Sequence, residues 1–243
     1  MAGNNGFYNS TTDRLSWILM NIQGVGELNP GEGGTVSFRF ASLKDAVPGK
    51  SRDIGLQFVL TGTTAGGQAV SVSESRVVKL ASQVSLSSKT LHSTGLFLNK
   101  GPIPPQAEKE TTYTAVISAG NTSNDFTDAK VTARLGSAVK WLGAKSTGAE
   151  DISYDEASNT VTWNLGTLAS GTGFSGALRE AQFQVSLTPS ISQIGTAPTL
   201  VSSIVFTGFD TVAAKTVTVT NAALTTNMPS DPAFIQGDGI VVK

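Results

Sequence analysis

One ten-residue segment of this chain, YDEASNTVTW at Tyr154–Trp163, aligns with an earlier segment, YNSTTDRLSW at Tyr8–Trp17, with the same tyrosine and tryptophan at its ends. The displacement is 146 residues at both the tyrosine (8 to 154) and the tryptophan (17 to 163). The later segment contains the polar turn residues Glu156–Asn159 and runs into the alternating stretch Thr160–Leu165, which is typical of a half-buried strand. An internal repeat therefore organises the chain.

The match continues on the C-terminal side, with displacements between 140 and 147 residues. The further matches are Leu28 and Gly31 with Leu168 and Gly171, Phe38 with Phe183, Leu60-Thr61-Gly62 with Phe206-Thr207-Gly208, and Val70–Ser73 with Val217–Thr220. Subtracting the displacement from the segment before Tyr154 gives negative positions, so the first copy lacks its front half. Either the chain was cut inside a domain, or other strands complete that half.

The matches predict the domain organisation. Residues 1–82 are expected to be the C-terminal half of a repeat, which other strands could complete, and residues 83–100 a linker or an edge strand. Residues 101–243 are expected to form a complete repeat with a C-terminal extension. The clearest boundary is Gly101-Pro102-Ile103-Pro104-Pro105, because such a sequence cannot lie inside a helix or a central strand.

Period-two alternation predicts an all-β fold, with an immunoglobulin-like β-sandwich as the complete copy. No window of 11 or more residues has a convincing helical period, and the nearest candidate, Leu15–Ile22, contains the tryptophan that matches Trp163. In the first copy we expect strands near Leu15, Thr35, Leu56 and Ala69. In the complete copy the alternating stretches are Thr111–Ile117, Lys130–Leu135, Thr160–Leu165, Ala181–Leu187 and Lys215–Thr220.

Composition narrows the possible functions. The 243 residues include 17 basic and 18 acidic side chains, which leaves no electrostatic footprint for nucleic acid or an anionic membrane surface. Cysteine is absent, which excludes thiolate metal sites, thiol catalysis and disulfides.

The sequence starts MAGNNGFYNS, without the pattern of a secretory signal, and has no stretch of about 18 apolar residues. For an extracellular protein, we expect the export signal and anchor on a part not included here.

Two segments carry a resemblance to a known family. They are Leu28–Phe38, with the sequence LNPGEGGTVSF, and the series Thr112–Thr114, Asn121–Asn124 and Ala129–Thr132. With Trp163–Leu168 they resemble the tandem "conserved repeat" domain of prokaryotic cell-surface proteins, an immunoglobulin-like domain of unknown function. The similarity covers about residues 8–80 and 101–228, although Ser170-Gly171-Thr172 replaces the usual Pro-Gly-Glu. It implies extracellular stalk or adhesive modules, without catalytic or binding residues to transfer.

Residues capable of catalysis or metal binding are few and scattered, so we predict no catalytic, cofactor-binding or metal-binding residues. His92 is the single histidine and is expected to be a surface residue at a strand end. Ser175 lacks the glycine pattern of a nucleophile elbow and is interpreted as a loop serine. Six acidic residues could bind calcium: Glu150, Asp151, Asp155, Glu156, Asp231 and Asp238. They lack EF-hand spacing, and we interpret them as solvated turn residues.

Three further hypotheses are weaker than their structural alternatives. Lys130, Lys215 and Asn221 lie on predicted strands and could form an isopeptide cross-link, but nothing in the sequence selects a trio. Asn9 and Asn121 match the N-glycosylation pattern, which Asn/Ser/Thr-rich turns produce easily. A carbohydrate platform could be formed by five aromatic residues, Trp17, Trp141, Trp163, Phe38 and Phe183. Their positions on predicted strands favour the core instead.

The leading hypothesis is a non-enzymatic structural or adhesive module of a prokaryotic cell-surface protein. Any specificity is then expected in exposed loops such as Gly120–Asp125 or Gly143–Ser153. One alternative is a self-assembling subunit, forming fibres or oligomers, whose incomplete sandwich accepts a strand from another copy or from a surface protein. Another alternative is a carbohydrate-binding module. We expect no cofactor, no nucleic acid and no membrane contact in this segment.

Overall fold

The computed structural model describes residues 6–22, 25–40, 53–148 and 150–243. The chain divides into two compact units, Met1–Ala46 and Val47–Lys243. The first unit contains β1 (Phe7–Asn9) and β2 (Arg14–Ser16). The strands of the second unit are β3 (Asp53–Thr63), β4 (Ala69–Lys79), β5 (Val84–Leu91), β6 (Thr111–Asn121), β7 (Phe126–Leu135), β8 (Val139–Lys145), β9 (Asp151–Asp155), β10 (Thr160–Leu168), β11 (Arg179–Leu187), β12 (Thr199–Asp210), β13 (Lys215–Asn221) and β14 (Leu224–Thr225).

The larger unit is built around an immunoglobulin-like β-sandwich of two antiparallel sheets. One sheet has the order β13-β12-β7-β10-β9, with β14 pairing to β12, and the other has the order β5-β6-β11-β8. The chain is therefore all-β as predicted, with one complete copy preceded by strands that match the back half of another. The helical content of the described residues is two short 3-10 turns, Leu19–Asn21 and Ile191–Gln193.

Alternating residues of both sheets fill the core. In β10, for example, Val161, Trp163 and Leu165 are buried, whereas Asn164 between them is exposed. The rings of Phe126 and Phe206 meet edge to face with centroids 5.7 Å apart. This alternation arises because successive side chains of a strand point to opposite faces of its sheet.

Val84–Leu91, expected to be a linker or an edge strand, is an edge strand of the sandwich. It pairs along its whole length with β6, from Val84 opposite Asn121 to Leu91 opposite Thr114. The proline-rich stretch Gly101–Pro105 connects β5 with β6 and so lies within the sandwich, where Pro105 O accepts a hydrogen bond from Val242 N. The sandwich thus includes a strand before residue 101, and the limits of the repeats as folding units stay a prediction.

In the first repeat, the described strand pairs are those for which both partner strands exist in this chain. The hairpin β1–β2 corresponds to β9–β10, and the hairpin β3–β4 corresponds to β12–β13. The strand expected near Thr35 was wrong, since residues 35–37 have no strand structure and Phe38 makes only an isolated bridge. Its counterpart β11 is held between β6 and β8, and among the described residues of the first repeat no strand corresponds to either of these two.

Candidate functional site: the open edge and apolar face of the β3–β4 hairpin

The β1–β2 and β9–β10 hairpins share their turn chemistry. Tyr8 donates its hydroxyl proton to Asp13 Oδ1 at 2.7 Å, and Tyr154 donates to Asn159 Oδ1 at 2.8 Å, 146 residues later. Asp13 and Asn159 both adopt the left-handed backbone conformation, with φ of 49° and 52°. The Asn9 side chain accepts from two backbone N–H groups of its turn, and Asp155 does the same in the second copy. The repeat inferred from sequence is thus a repeat of structure.

The β3–β4 hairpin has the register of β12–β13. Leu60 lies opposite Val72 and Gly62 opposite Val70. In the second copy Phe206 lies opposite Val219 and Gly208 opposite Val217, which are the matching positions. Each face of the first hairpin can therefore be assigned from the complete repeat.

Near its turn, one face of this hairpin carries three exposed apolar side chains. Leu60, Val70 and Val72 share a face, which we call the apolar hairpin face, and they are 54%, 46% and 66% exposed. The equivalent of Leu60 is Phe206, which is fully buried under the opposite sheet. Val217 and Val219 also pack against that core. The opposite hairpin face is more polar, with Val59 beside Thr61, Ser71 and Ser73.

The outer edge of β3 is open. Within the part of the second unit that the structure describes, β3 pairs with β4 alone. Thr64 N donates to Gln68 O at 2.9 Å across the turn. Because hydrogen-bonded pairs alternate along an antiparallel ladder, Gly62 and Leu60 bond to β4, and the backbone N–H and C=O groups of Thr61 and Val59 point to the open edge. Eleven residues of extended backbone offer a template for another strand.

His92 lies directly after β5, as predicted, but it is half-buried and not fully exposed. Its Nδ1 lies 2.9 Å from Thr112 O, and its ring meets Tyr113 at 5.9 Å between centroids. Ser175 is an exposed loop residue whose N–H donates to Gly171 O. Neither residue has the partners of a catalytic nucleophile or base.

Glu150 is part of a cluster that the sequence did not reveal. Its carboxylate accepts from Arg179 Nε at 3.1 Å, from Arg179 Nη2 at 2.6 Å and from Trp163 Nε1 at 2.6 Å. Burial alone would raise the pKa of Glu150, but the hydrogen bonds from Arg179 and Trp163 and the positive charge of Arg179 outweigh it, and the pKa is lowered. The guanidinium also lies 6.0 Å from the Trp163 ring centroid. The carboxylate is thus used to hold the sandwich together.

Asp231 fixes the C-terminal extension to the end of β5. It accepts from the backbone N–H groups of His92, Ser93 and Ala233 and from the Ser93 hydroxyl. Burial acts to raise the pKa of Asp231, but these hydrogen bonds stabilise the carboxylate and lower the pKa to about 2. The group is buried and not the solvated turn residue that the sequence indicated.

The other acidic residues are engaged in turns or strands. Asp155 caps its turn and Asp238 accepts from Ile235 N, while Asp151 accepts from the Asn164 side chain. Within residues 6–22, 25–40, 53–148 and 150–243, no three His, Cys, Asp or Glu side chains come together as a possible metal site.

The candidate cross-linking residues and one of the two candidate glycosylation residues, Asn121, are not arranged for those reactions, whereas Asn9 is exposed. Lys130 and Lys215 are exposed, and Asn221 donates to Ser88 Oγ at 3.1 Å. In the β12–β13 ladder, Lys215 lies opposite Asp210 and Asn221 lies opposite Ile204, at opposite ends of the ladder. Asn121 is fully buried and donates to Leu168 O and Ala169 O, so its amide is inaccessible to a glycosyl group.

The aromatic residues do not form a common platform. Trp163 and Phe183 are buried in the core, as predicted. The half-buried Trp141 stacks on Tyr154 with centroids 5.4 Å apart, and in the smaller unit Trp17 meets Phe38 at 5.9 Å. A flat exposed surface of the kind that binds sugars is not built from these side chains.

The prediction of an exposed loop at Gly120–Asp125 was wrong. Asn124 and Ser123 are buried there, because Asn124 Nδ2 donates to Leu80 O and to Asp210, and Ser123 N donates to Ser82 Oγ. This loop therefore anchors the segment between β4 and β5 to the sandwich. The described part of the chain has no helix of the length and hydrophobicity needed to cross a membrane.

No known protein family and no curated protein sequence matches the chain. Similar solved structures include a variant of BcpA, the major pilin subunit of Bacillus cereus, with 11% identity, a TM-score of 0.36 and coverage of 72% of this chain and 48% of that one. SpaD, the major pilin of Corynebacterium diphtheriae, has 12% identity, a TM-score of 0.37 and coverage of 69% and 43%. The C-terminal domain of the Streptococcus agalactiae polypeptide BspA has 11% identity, a TM-score of 0.34 and coverage of 72% and 59%.

The chain thus spans about half the length of these solved chains. Similarity at this level carries no argument about partners or ligands. The class of protein follows from the chain's own strands, which form an immunoglobulin-like sandwich with a repeated back half.

Proposed function

We propose that this chain is a non-enzymatic structural or adhesive module of a prokaryotic cell-surface protein. The observation that carries the proposal is the repeat: two copies share the Tyr8–Asp13 and Tyr154–Asn159 turn bonds and the register of their hairpins. Tandem copies of one sandwich provide length and stiffness, and the resemblance to surface-protein repeats supports an extracellular location.

The polar groups that could support chemistry have structural partners instead. Glu150 binds Arg179 and Trp163, and Asp231 binds the backbone at His92 and Ser93. A serine- or histidine-dependent hydrolase or transferase site needs a nucleophile beside a base, and among the described residues neither His92 nor Ser175 has such a partner. This supports a role without catalysis.

The test is immunolabelling of intact and permeabilised cells of the source organism, with an antibody raised against the folded chain. The proposal expects labelling of intact cells, which a brief protease treatment removes. Labelling that requires permeabilisation would contradict a surface location. A hydrolytic or transfer activity that disappears on His92→Ala would contradict the absence of catalysis.

A second candidate function is supported by the apolar hairpin face. Leu60 is 54% exposed although its counterpart Phe206 is fully buried, and the edge of β3 beside it is open. An exposed apolar strand edge is suited to β-augmentation, in which a further strand completes the sheet. The chain would then be a subunit that assembles by accepting a strand.

Light scattering and electron microscopy test this candidate at increasing protein concentration. Oligomers or fibres that Leu60→Lys abolishes would support assembly through the hairpin. A monomer in which β3 and β4 unfold cooperatively with the sandwich, and which binds no added strand, would contradict it. The remaining alternative is a carbohydrate-binding module, and the described residues form no exposed aromatic platform that would support it.

A further inference from the structure

We infer that the β3 edge accepts a strand with the sequence pattern of β7, lying antiparallel beside β3 with a small apolar residue opposite Leu60. This deepens the strand-accepting candidate, on which it rests, by defining the partner. The reason is the repeat itself: β3 corresponds to β12, and the edge of β12 that faces away from β13 is covered by β7.

The register of the missing strand follows from the complete repeat. There Phe206 lies opposite Val131, and Val205 lies opposite Thr132. Because Leu60 and Val59 occupy the positions of Phe206 and Val205, the incoming strand places its Val131-type residue opposite Leu60. The outward N–H and C=O groups of β3 are then those that the added ladder satisfies.

The side-chain pattern of the partner is also defined. The core-facing residues of β7 between its ends are small and buried, namely Ala129, Val131 and Ala133. On the other face of the strand, Lys130 and Arg134 are exposed. Small apolar residues allow the opposite sheet to approach closely, and charged residues on the other face keep it in solvent. The partner therefore alternates small apolar residues with basic or polar ones.

The described strands of a second copy of this chain cannot supply an unpaired strand of the β7 pattern without unfolding. Its β7 already lies between β12 and β10, and its β6 lies between β5 and β11. The occupant is therefore the front half of another repeat of the same type, with unpaired β7-type backbone. Edge-to-edge pairing of two β3 strands is the competing arrangement.

Binding of a synthetic peptide to the full chain tests the inference. The probe is the ten-residue sequence of β7, FTDAKVTARL, with a fluorescent label, and binding is measured by anisotropy. Leu60→Lys should weaken binding several-fold, because the Val131-type residue of the peptide lies beside Leu60 and covers part of it, and a lysine ammonium group there would lose hydration. Val59→Lys is the matched control, since Val59 is 57% exposed on the opposite face of the same strand, and it should change binding by less than about twofold.

Disulfide trapping tests the register, and the absence of cysteine from the chain makes it specific. A chain carrying Val59→Cys should cross-link rapidly to a peptide carrying Thr132→Cys, because these residues lie opposite each other on one face. A peptide carrying Ala133→Cys should cross-link slowly, since that side chain points to the other face.

Three results would overturn the inference. Equal effects of Leu60→Lys and Val59→Lys, or equal cross-linking of the two peptides, would show that the strand does not bind in the β7 register. Self-association that depends on Leu60 and that the peptide does not compete with would make a second copy the occupant, leaving strand acceptance intact. If the chain neither binds the peptide nor self-associates, both the β7 register and strand acceptance are excluded, and the structural role is unaffected.

Discussion

Arg179 and Glu150 form a two-point ion pair, with Nε to Oε1 at 3.1 Å and Nη2 to Oε2 at 2.6 Å. Arg179 begins β11 in one sheet, and its Nη1 donates to Leu165 O of β10 in the other sheet at 2.7 Å. The pair therefore connects the two sheets of the sandwich through backbone and side-chain bonds. Both side chains are mostly buried, at 24% and 15% exposed, so removing one partner would leave the other charge partly desolvated and unpaired.

We expect Arg179→Ala to lower the free energy of unfolding by about 2–3 kcal/mol, because Glu150 is then left partly buried without its cation. Glu150→Gln should cost less, about 1 kcal/mol, since the amide oxygen still accepts from Trp163. Urea unfolding followed by tryptophan fluorescence measures both. Arg134→Ala, on the exposed face of β7, is the control and should be nearly neutral. Equal effects at Arg179 and Arg134 would exclude the connecting role.

Asp231 gives the sandwich a pH dependence. Its folded pKa of about 2 lies below its ordinary value of 3.8, so its stabilising contribution is fully present above that value and is lost as the pH falls toward 2. We expect Asp231→Asn to lower stability at neutral pH and to remove part of the acid destabilisation seen in the parent chain. Urea unfolding at neutral pH and at about pH 3 measures the difference.

Asp238→Asn is the control for Asp231, because Asp238 accepts a single hydrogen bond, from Ile235 N. It should leave the loss of stability between the two pH values unchanged. If Asp231→Asn and the parent chain lost equal stability on acidification, the four hydrogen bonds to Asp231 would not be the source of the pH dependence.

Much of the fold could be predicted from the sequence, because a strand with one buried face alternates apolar and polar side chains. Thr160–Leu168 and Arg179–Leu187 show this pattern, and the internal repeat located the β3–β4 hairpin through Leu60-Thr61-Gly62. The Thr35 strand failed for a non-local reason. A strand that needs two neighbours does not form its ladder when both are missing, and its local pattern carries no information about them.

The side-chain clusters were less predictable than the strands. Glu150 lies 13 residues from Trp163 and 29 from Arg179, so no short motif joins them. Asn124 and Asp210 are 86 residues apart, and the Asn/Ser-rich sequence around Asn124 has the composition of a solvated turn. Only the folded chain brings Asn124 beside Asp210 and Leu80. The open edge of β3, by contrast, could be predicted, because it follows from what the repeat lacks.

The turn residue Asn159 combines backbone and side-chain requirements. Its φ of 52° is left-handed, its Oδ1 accepts from Tyr154, and its Nδ2 donates to Gly136 O at 3.2 Å. We expect Asn159→Ala to destabilise the sandwich by about 2 kcal/mol, partly from strain and partly from lost hydrogen bonds. Asn159→Asp should cost less, because Asp13 serves at the equivalent position of the first copy. Thermal unfolding followed by circular dichroism ranks the two variants, and an equal loss would contradict the role of Oδ1.

The repeat-matched glycines Gly62 and Gly208 distinguish the open copy from the complete one. A Cβ added at Gly208 would lie 3.0 Å from Phe206 Cζ and 3.2 Å from Phe126 Cδ1, whereas a Cβ at Gly62 would meet nothing within 4 Å. We therefore expect Gly208→Ala to cost about 1–3 kcal/mol through overpacking. Gly62→Ala should be neutral or stabilise the hairpin by about 0.5–1 kcal/mol, because alanine loses less conformational entropy than glycine in a strand.

The β7 peptide should make the methyl group of Gly62→Ala unfavourable, although that methyl group is harmless in the free chain. In the complete repeat, one of the two rings beside Gly208 belongs to Phe126 of β7, so a bound peptide would bring its own Phe126 ring toward the new methyl group of Gly62→Ala. The variant should then bind the peptide more weakly than the parent chain, although it is at least as stable alone. Unchanged affinity would mean that the bound strand does not reproduce the packing of β7 against β12, even if it pairs with the edge of β3.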